Sequence, residues 1–535
     1  MKKLFVISSL LITVMMSAQQ IKFQETTPYI KKTKDFQKKQ ITFVNIIGDT
    51  LVCNFQTYRP DVPLSEIVLI DKQLNVLRHI ELPSEYKKFS AKYLGKFGKH
   101  YIISIYKGRN TRFLGLMDEN WQLVRTLPIQ KGCIYETLLY KDDRYAYVQI
   151  EGWNIIKIDE DFNILQKQRT QEYINTYSNG FSVKEKDGKL YVRINGYRPS
   201  MYNLPSLTRF IYCFDKETLR ETKIDLFEHN GASDYQVYYG KDVIACVDNS
   251  RGRARILDYN GIQLQETTFP QIKNYATKAE RTIQTFWMKN DELIIAHMPK
   301  ESQNNRTDIT IIRLNQDKVQ TVNLPNVEIA GKAQMTILDC EDNDVRLFIG
   351  RENGFYVMAV NFPSGTCRTL MEKRCDLAFE HISRMKNDAG YYLCTHRSTM
   401  TRMQNHDTYY MTDQAQIFIT KDFSNATVYT AQYETKNSSP SDVFTYDANY
   451  KDFALIRHSE PVYNPKGRPT SSYEIRYHMI DKFGNRTTIM SDMYYWNNPL
   501  VIKISSTEYF LYSLIHENIY GTDHVHKAGE LKITL

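Results

Sequence analysis

The sequence contains no long apolar run and is poor in the residues that break regular structure. Glycine and proline supply only 23 and 16 of the 535 residues. No sustained 3.6-residue apolar period is present, which excludes long amphipathic helices. The low glycine and proline content excludes collagen-like and low-complexity chains. No segment offers the roughly 20 consecutive apolar residues that a membrane-spanning helix needs, so we expect no transmembrane segment.

Cysteine pairs of the kind that bind zinc or carry redox chemistry are also missing. The eight cysteines are widely spaced, without a C-x-x-C pair. Cys367 and Cys375 are the closest in sequence, and one or two disulfides or buried free thiols fit the spacing equally well. The eight are Cys53, Cys133, Cys213, Cys246, Cys340, Cys367, Cys375 and Cys394.

Known catalytic and cofactor motifs are absent as well. The chain has no G-x-S-x-G, H-E-x-x-H or P-loop, and no dinucleotide-binding glycine motif between a strand and a helix. We therefore predict no cofactor, and an enzymatic activity is not the first expectation. The net charge is +8, but part of it lies in the lysine-rich stretch 31–39. A solvated linker explains that stretch without a nucleic-acid partner.

Residues 1–18 have the layout of a cleavable secretory signal. Lys2 and Lys3 precede an apolar run from Leu4 to Met16, and the small residues Ser17 and Ala18 follow. The expected location is therefore the periplasm or the exterior of the cell. We divide the chain into a signal peptide (1–18), an N-terminal strand with a basic linker (19–40) and one repeat domain (41–535).

Aromatic residues make up 13% of the chain, 38 of them tyrosine, which favours half-buried strands. One pattern recurs nine times: an apolar strand ending in Asp or Asn, a short polar turn and a second alternating strand. Asp and Asn suit such turns because their side chains accept hydrogen bonds from the backbone two residues on. The nine segments are 67–83, 113–128, 153–168, 210–226, 254–270, 309–325, 355–370, 416–430 and 475–490.

A further hairpin of two apolar strands precedes these segments, as at 92–106, 235–247, 282–298 and 335–350. Each unit then holds four strands, the size of a propeller blade. A tenth unit at 501–535 is one strand short, and the strand-like segment 21–31 could supply its outer strand and cover an exposed edge. We therefore predict an all-β fold, a β-propeller of about 8–10 four-stranded blades. Two smaller rings of about five, a β-sandwich array and an open β-solenoid are the alternatives.

The unit resembles the blade of secreted propellers of the NHL and TolB-like kind, in which an apolar strand ending in Asp precedes a turn and an outer strand. The resemblance covers nearly all of the chain after the signal and is one of pattern only. The WD dipeptide, the kelch Gly-Gly and the sialidase Asp box are missing. The resemblance thus implies a scaffold for binding, and fold alone does not fix function.

The connections between the second and third strands are long, and we expect them on one face of the ring. They are 56–66, 195–209, 298–308, 396–414 and 458–474. Long loops of this kind are often binding surfaces. A cationic residue stands near the start of most such connections, and a ring of them would attract an anion. These residues are Arg59, Arg109, Arg198, Arg251, Lys300, Arg351, Arg397 and Arg468.

Neighbouring tyrosines could stack on sugars or side chains, among them Tyr58, Tyr197 and Tyr410. The hypothesis is an exported, non-enzymatic scaffold that binds an anionic polysaccharide or a protein partner through this face. The alternative for the arginines is structural, with each pinning its own loop. The alternative for the function is a lyase or hydrolase on an acidic polysaccharide. Loop carboxylates such as Asp407 and Glu460 could serve as acid and base there, although carboxylates in loops are ordinarily just solvated and the sequence assigns no catalytic residue.

A metal site is not predicted. His524 and His526 alternate along a strand-like segment, with His516 and Asp523 nearby in the sequence. Zinc needs three or four ligands, and the sequence identifies no complete set.

Overall fold

The structure is a computed structural model of the chain. It describes residues 21–26, 39–57, 65–71, 76–108, 111–129, 136–150, 154–171, 181–194, 209–227, 235–249, 251–270, 282–299, 306–328, 333–351, 354–362, 364–375, 381–404, 406–437, 442–444, 453–493, 500–503, 508–513 and 527–533.

The described residues form ten four-stranded antiparallel sheets, nine of them built from four consecutive strands. We number these nine in chain order. Sheet 1 comprises β2 (Lys39–Ile47), β3 (Thr50–Thr57), β4 (Ser65–Ile70) and β5 (Val76–His79). Sheet 2 comprises β6 (Ser90–Phe97), β7 (His100–Lys107), β8 (Thr111–Met117) and β9 (Leu123–Pro128). Sheet 3 comprises β10 (Glu136–Lys141), β11 (Tyr145–Ile150), β12 (Asn154–Asp159) and β13 (Ile164–Arg169). A short 3-10 turn (Ser84–Tyr86) joins sheets 1 and 2.

Sheet 4 comprises β14 (Phe181–Lys186), β15 (Lys189–Ile194), β16 (Phe210–Asp215) and β17 (Glu221–Asp225). Sheet 5 comprises β18 (Tyr235–Tyr239), β19 (Val243–Asp248), β20 (Arg253–Asp258) and β21 (Gln263–Thr268). Sheet 6 comprises β22 (Thr282–Lys289), β23 (Glu292–Pro299), β24 (Arg306–Leu314) and β25 (Val319–Glu328). Sheet 7 comprises β26 (Gln334–Glu341), β27 (Asp344–Arg351), β28 (Gly354–Asn361) and β29 (Cys367–Arg374). Sheet 8 comprises β30 (His381–Lys386), β31 (Gly390–Gln404), β32 (Asp407–Thr420) and β33 (Ala426–Lys436). Sheet 9 comprises β34 (Val443–Phe444), β35 (Phe453–Tyr463), β36 (Pro469–Asp481) and β37 (Arg486–Met493).

All nine repeated segments of the sequence form the third and fourth strands of a sheet, as predicted. The turns between them use the expected chemistry. In sheet 5, Asp258 Oδ1 accepts hydrogen bonds from the backbone N–H groups of Asn260 and Ile262, both at 2.8 Å. Side-chain acceptors play the same part in six other sheets, at Asp118, Asp159, Asp215, Asn315, Asp422 and Asp481.

Each sheet packs face to face against the next through a shared hydrophobic core. The strands that meet carry continuous apolar stretches, which is the pattern of strands buried on both faces. Such cores join every neighbouring pair from sheets 1 and 2 to sheets 8 and 9. Two rings of five would be separated between sheets 5 and 6. Instead one core crosses that boundary, with Ile256 of sheet 5 and Ile295 of sheet 6 among its members.

Contacts between the turns show that neighbouring sheets have the same orientation. Lys186 Nζ, at the end of the first strand of sheet 4, lies 2.9 Å from Asp242 in the first turn of sheet 5. The backbone N–H of Asp242 in turn donates to Asp291 in the first turn of sheet 6, at 3.0 Å. Equivalent contacts join sheets 2 to 4 and sheets 6 to 9.

We call the side that carries these turns the turn face. Because the strands alternate in direction, the ends of the second strands and the starts of the third lie on the opposite side. We call that side the connection face. Four-stranded sheets packed face to face in this common orientation define a β-propeller.

The tenth sheet joins the two ends of the chain. It consists of β38 (Leu500–Lys503), β39 (Glu508–Ser513), β40 (Lys527–Ile533) and β1 (Ile21–Thr26), in the order β1-β40-β39-β38. The N-terminal strand pairs antiparallel with β40, from Ile21 opposite Ile533 to Thr26 opposite Ala528. This confirms the prediction that the N-terminal segment supplies the missing outer strand, through residues 21–26; the rest of the predicted segment, 27–31, lies outside the described residues.

Two expectations from the sequence need correction. The long connections at 396–414 and 458–474 are mostly strand, because β31, β32, β35 and β36 run 11 to 15 residues and end in tight turns. A Cys367–Cys375 disulfide is also wrong. Cys367 is the first residue of the eight-residue strand β29 and Cys375 directly follows its last residue. The two are roughly 26 Å apart at the rise of a β-strand, whereas a disulfide needs Cα atoms within about 7 Å.

Candidate functional site

The predicted ligand-binding residues fall into two groups. Arg251, Arg351, Arg397, Arg468 and Tyr410 lie in the described part of the chain. The other residues of the prediction lie outside the described residues, namely Arg59, Arg109, Arg198, Lys300, Tyr58 and Tyr197.

Arg351 is held within its own sheet. Its guanidinium donates to Glu372 on the fourth strand of sheet 7 and lies 5.5 Å from the centre of the Tyr356 ring. Three arginines that the sequence analysis did not single out make similar pairs on the connection face. Each lies at 2.7 Å from its partner, as Arg112–Glu136, Arg209–Asp225 and Arg253–Glu266. Many cations on this face are therefore neutralised by the fold itself.

Arg251, Arg397 and Arg468 differ from this group. Arg251 and Arg468 are exposed and Arg397 is half-buried. Among the described residues none of the three guanidinium groups forms an ion pair, although Arg397 lies opposite Asp413 in the β31–β32 pairing. Two of these arginines belong to the strand extensions of sheets 8 and 9.

These extensions make the second and third strands of sheets 8 and 9 longer than those of the other seven consecutive sheets. We call residues 396–414 of sheet 8 and 459–474 of sheet 9 the paired hairpins. The Tyr463 hydroxyl of the sheet 9 hairpin donates to the Glu434 carbonyl of sheet 8 at 3.1 Å. Arg402 of the sheet 8 hairpin pairs with the Glu434 carboxylate at 2.9 Å and lies 4.4 Å from the centre of the Tyr409 ring. The two hairpins are thus held in a fixed relation.

The sheet 8 hairpin also exposes apolar side chains. Met400 and Met403 are 59% and 69% accessible, and Tyr463 on the neighbouring hairpin is 44% accessible. Tyr410, opposite Met400, is half-buried. Exposed apolar groups next to exposed cations give this surface the mixed character of a binding site.

A buried polar network lies below the paired hairpins, between sheets 8 and 9. His458 Nδ1 donates to Asp442 Oδ1 at 2.6 Å, and Gln416 Nε2 donates to Asp442 Oδ2 at 2.7 Å. His478 contacts the Gln416 amide at 3.1 Å, and its ring stacks on His458 with centroids 4.6 Å apart. All four side chains are almost completely buried. We call these residues, together with Tyr433, Glu460 and Arg476, the histidine network.

The histidine network continues towards solvent through Tyr433. Its hydroxyl lies 3.1 Å from His458 Nε2 and 3.2 Å from Glu460 Oε1. Glu460 also pairs with Arg476 at 3.1 Å. Burial and then the charge of Glu460 raise the pKa of Tyr433 above its usual range. Tyr433 therefore stays protonated at neutral pH, which suits a hydrogen-bond donor and not a general base.

The two carboxylates considered as an acid–base pair, Asp407 and Glu460, contact different groups. Asp407 accepts from Lys436 at 2.7 Å and from Asn437 at 2.9 Å. These hydrogen bonds lower the pKa of Asp407. Glu460 belongs to the histidine network, so the two carboxylates have separate partners.

Within the described residues no group of three or more His, Cys, Asp or Glu side chains has the arrangement of a metal site. The histidines considered in the sequence, His516, His524 and His526, lie outside the described residues. No helix among the described residues has the length and apolarity to cross a membrane.

Comparison with known proteins finds only weak similarity. No protein-family model and no curated protein matches the chain. Solved structures that resemble it include BamB from Moraxella catarrhalis, with 12% identity over 56% of this chain and 78% of that chain, at a TM-score of 0.27. The WD40 domain of SCAP from fission yeast shows 10% identity over 96% of this chain and 99% of that chain, also at 0.27.

The β-propeller domain of Cps50 (Swd1) from Myceliophteria thermophila shows 12% identity over 56% of this chain and 92% of that chain, at a TM-score of 0.23. The fold assignment rests on the sheet order and packing described above, and the site has to be argued from its own residues.

Proposed function

We propose that this chain is an exported, non-enzymatic scaffold that binds an anionic partner through its connection face, with an acidic polysaccharide as the first candidate. The paired hairpins carry the proposal. They are the part of the described connection face where the second and third strands are longest, and they combine cations with exposed apolar side chains. The signal-like sequence at residues 1–18 supports export.

The charge distribution favours an anion. Arg468 is exposed with no ion pair among the described residues, and Lys466 is exposed two residues before it. The connection-face arginines closer to the sheets already have carboxylate partners. A guanidinium that keeps its donors free can bind a carboxylate or sulfate group through paired hydrogen bonds.

Preorganisation supports binding as well. The hairpins are tied to sheet 8 through Glu434, and the histidine network fixes the strands beneath them. A surface that is already ordered loses less conformational entropy when a partner binds.

The test measures binding of immobilised protein to polygalacturonate, with neutral dextran for comparison, at low and high salt. We expect saturable binding to polygalacturonate that weakens with salt. Arg468→Ala should reduce the affinity about tenfold, the usual effect of losing a charged hydrogen bond. Arg220→Ala is the matched control, because it removes one exposed arginine from the turn face and should leave affinity unchanged.

Equal affinity of both variants, or equal binding to dextran, would contradict the proposal. Poly-glutamate bound in preference to polygalacturonate would instead identify an acidic protein segment as the partner. New reducing ends or unsaturated products in the same incubation would favour the lyase or hydrolase alternative.

A further inference from the structure

Arg384 on the first strand of sheet 8 reaches past sheet 7 to sheet 6. Its Nη2 donates to the Phe286 carbonyl at 3.0 Å, and its guanidinium carbon lies 4.4 Å from the centre of the Trp287 ring. Phe286 and Trp287 belong to the first strand of sheet 6. Side chains of alternate sheets meet in this way only where the first strands converge, on the inner wall of the propeller.

Two buried hydrogen-bond donors, one on Arg384 and one on Trp287, have no acceptor among the described residues. Neither Arg384 Nη1 nor Trp287 Nε1 has a hydrogen-bond partner among the described residues. An unmet buried donor costs free energy, and the cost is larger for a charged group. Burial lowers the pKa of Arg384 to about 10, so the guanidinium is still protonated at neutral pH.

The charges around Arg384 do not balance. Asp339 and Glu341, on the first strand of sheet 7, form ion pairs with Arg346 and Lys386. With Arg384 this cluster holds three cations against two carboxylates, a surplus of one positive charge. Asp339 Oδ2 also accepts from the Tyr391 hydroxyl at 2.5 Å, while Asp339 Oδ1 is buried without a hydrogen-bond partner among the described residues. No described carboxylate pairs with Arg384.

We propose that Arg384 and Trp287 form a binding site for a carboxylate group on the inner wall of the propeller. A carboxylate offers two acceptor oxygens and one negative charge, which match the two unmet donors and the surplus charge. A neutral carbonyl would accept the hydrogen bonds but leave the charge uncompensated. Arg384 Nη1 would then donate to one carboxylate oxygen and Trp287 Nε1 to the other, and the hydrogen bond from the charged guanidinium is the stronger of the two.

Acetate is the probe, titrated against chloride at constant ionic strength. Binding is followed by calorimetry and by tryptophan fluorescence, since Trp287 is one of only four tryptophans. We expect a saturable signal from the wild-type protein by both methods. Arg384→Met should abolish it, and Arg384→Lys, which keeps the charge but not the planar fork, should weaken affinity at least tenfold. Trp287→Phe should lose the fluorescence response and retain a weaker calorimetric signal.

Arg368→Met is the matched control, because Arg368 is an exposed arginine on the outer strand of sheet 7. It should bind acetate like the wild type. An identical acetate response in Arg384→Met and wild type would overturn the proposal. The proposal would also be overturned if the wild type showed no saturable response and the Arg384→Met protein folded with higher stability than the wild type. Arg384 would then be a buried cation without a ligand.

The inner-wall site is independent of the paired hairpins. Arg468→Ala should leave acetate binding unchanged, and Arg384→Met should leave polygalacturonate binding unchanged. Failure of one proposal is therefore distinguishable from failure of the other.

Discussion

Asp442 and His458 form a buried hydrogen bond of 2.6 Å within sheet 9. Asp442 lies directly before the first strand of sheet 9, and His458 lies on its second strand. Gln416 of sheet 8 donates to the other oxygen of the same carboxylate. This one carboxylate therefore joins sheets 8 and 9 below the paired hairpins.

We expect Asp442→Ala to lower the free energy of unfolding by about 3 kcal/mol, since it leaves buried donors of His458 and Gln416 without an acceptor. Urea denaturation followed by tryptophan fluorescence measures the change. Asp388→Ala is the control, because Asp388 is an exposed aspartate in the first turn of sheet 8. Equal stability of the two variants would mean that the carboxylate does not hold the sheets together.

Acid should destabilise the protein through His478. Burial, followed by the charges of His458, Arg486 and Arg476, lowers the pKa of His478 to about 3. An unfolded histidine has a pKa of about 6.5, so between about pH 6.5 and pH 3 the unfolded chain binds a proton that the folded chain does not. The free energy of unfolding should then fall with decreasing pH by up to about 1.4 kcal/mol per unit. His478→Gln should flatten this slope, and His406→Gln, at an exposed hairpin tip, should not.

Gly354 at the start of β28 is expected to tolerate no side chain. Its φ is +135°, and a Cβ there would lie 2.1 Å from the carbonyl oxygen of Lys373 on the adjacent strand. Gly354→Ala should therefore destabilise the protein by about 3 kcal/mol or more, through both the contact and the backbone conformation. Gly467→Ala is the matched control: its φ is +71° and no atom lies within 4 Å of the added carbon. We expect it to cost only about 1 kcal/mol, and thermal unfolding compares the two.

Most of the fold is predictable from the sequence because local rules set it. Asp258 marks its turn in the sequence and accepts the backbone hydrogen bonds that close it. The pairing of β1 with β40 also follows from a unit that lacks one strand. The strand extensions at 396–414 and 458–474 were missed, because polar residues alternate there and an extended polar hairpin has the composition of a loop.

The candidate site is less predictable, because its contacts cross between sheets. No spacing rule places Asp442 beside Gln416, or Arg384 beside Trp287. Arg351 and Arg468 occupy similar positions in the repeated unit. The strand register of sheet 7 places Glu372 beside Arg351, and this contact cannot be read from the sequence. A signal for the histidine network did exist: His478 interrupts an apolar strand between Tyr477 and Met479, and a buried histidine needs a partner.

The pairing of β1 with β40 also determines how the protein responds to mechanical force. Ile21 and Ile533 face each other at one end of the two antiparallel strands. Tension applied through the segments before Ile21 and after Ile533 would therefore peel β1 from β40 one hydrogen bond at a time, instead of shearing all of them together. The tenth sheet would open at low load, while the nine sheets built from consecutive strands stayed folded.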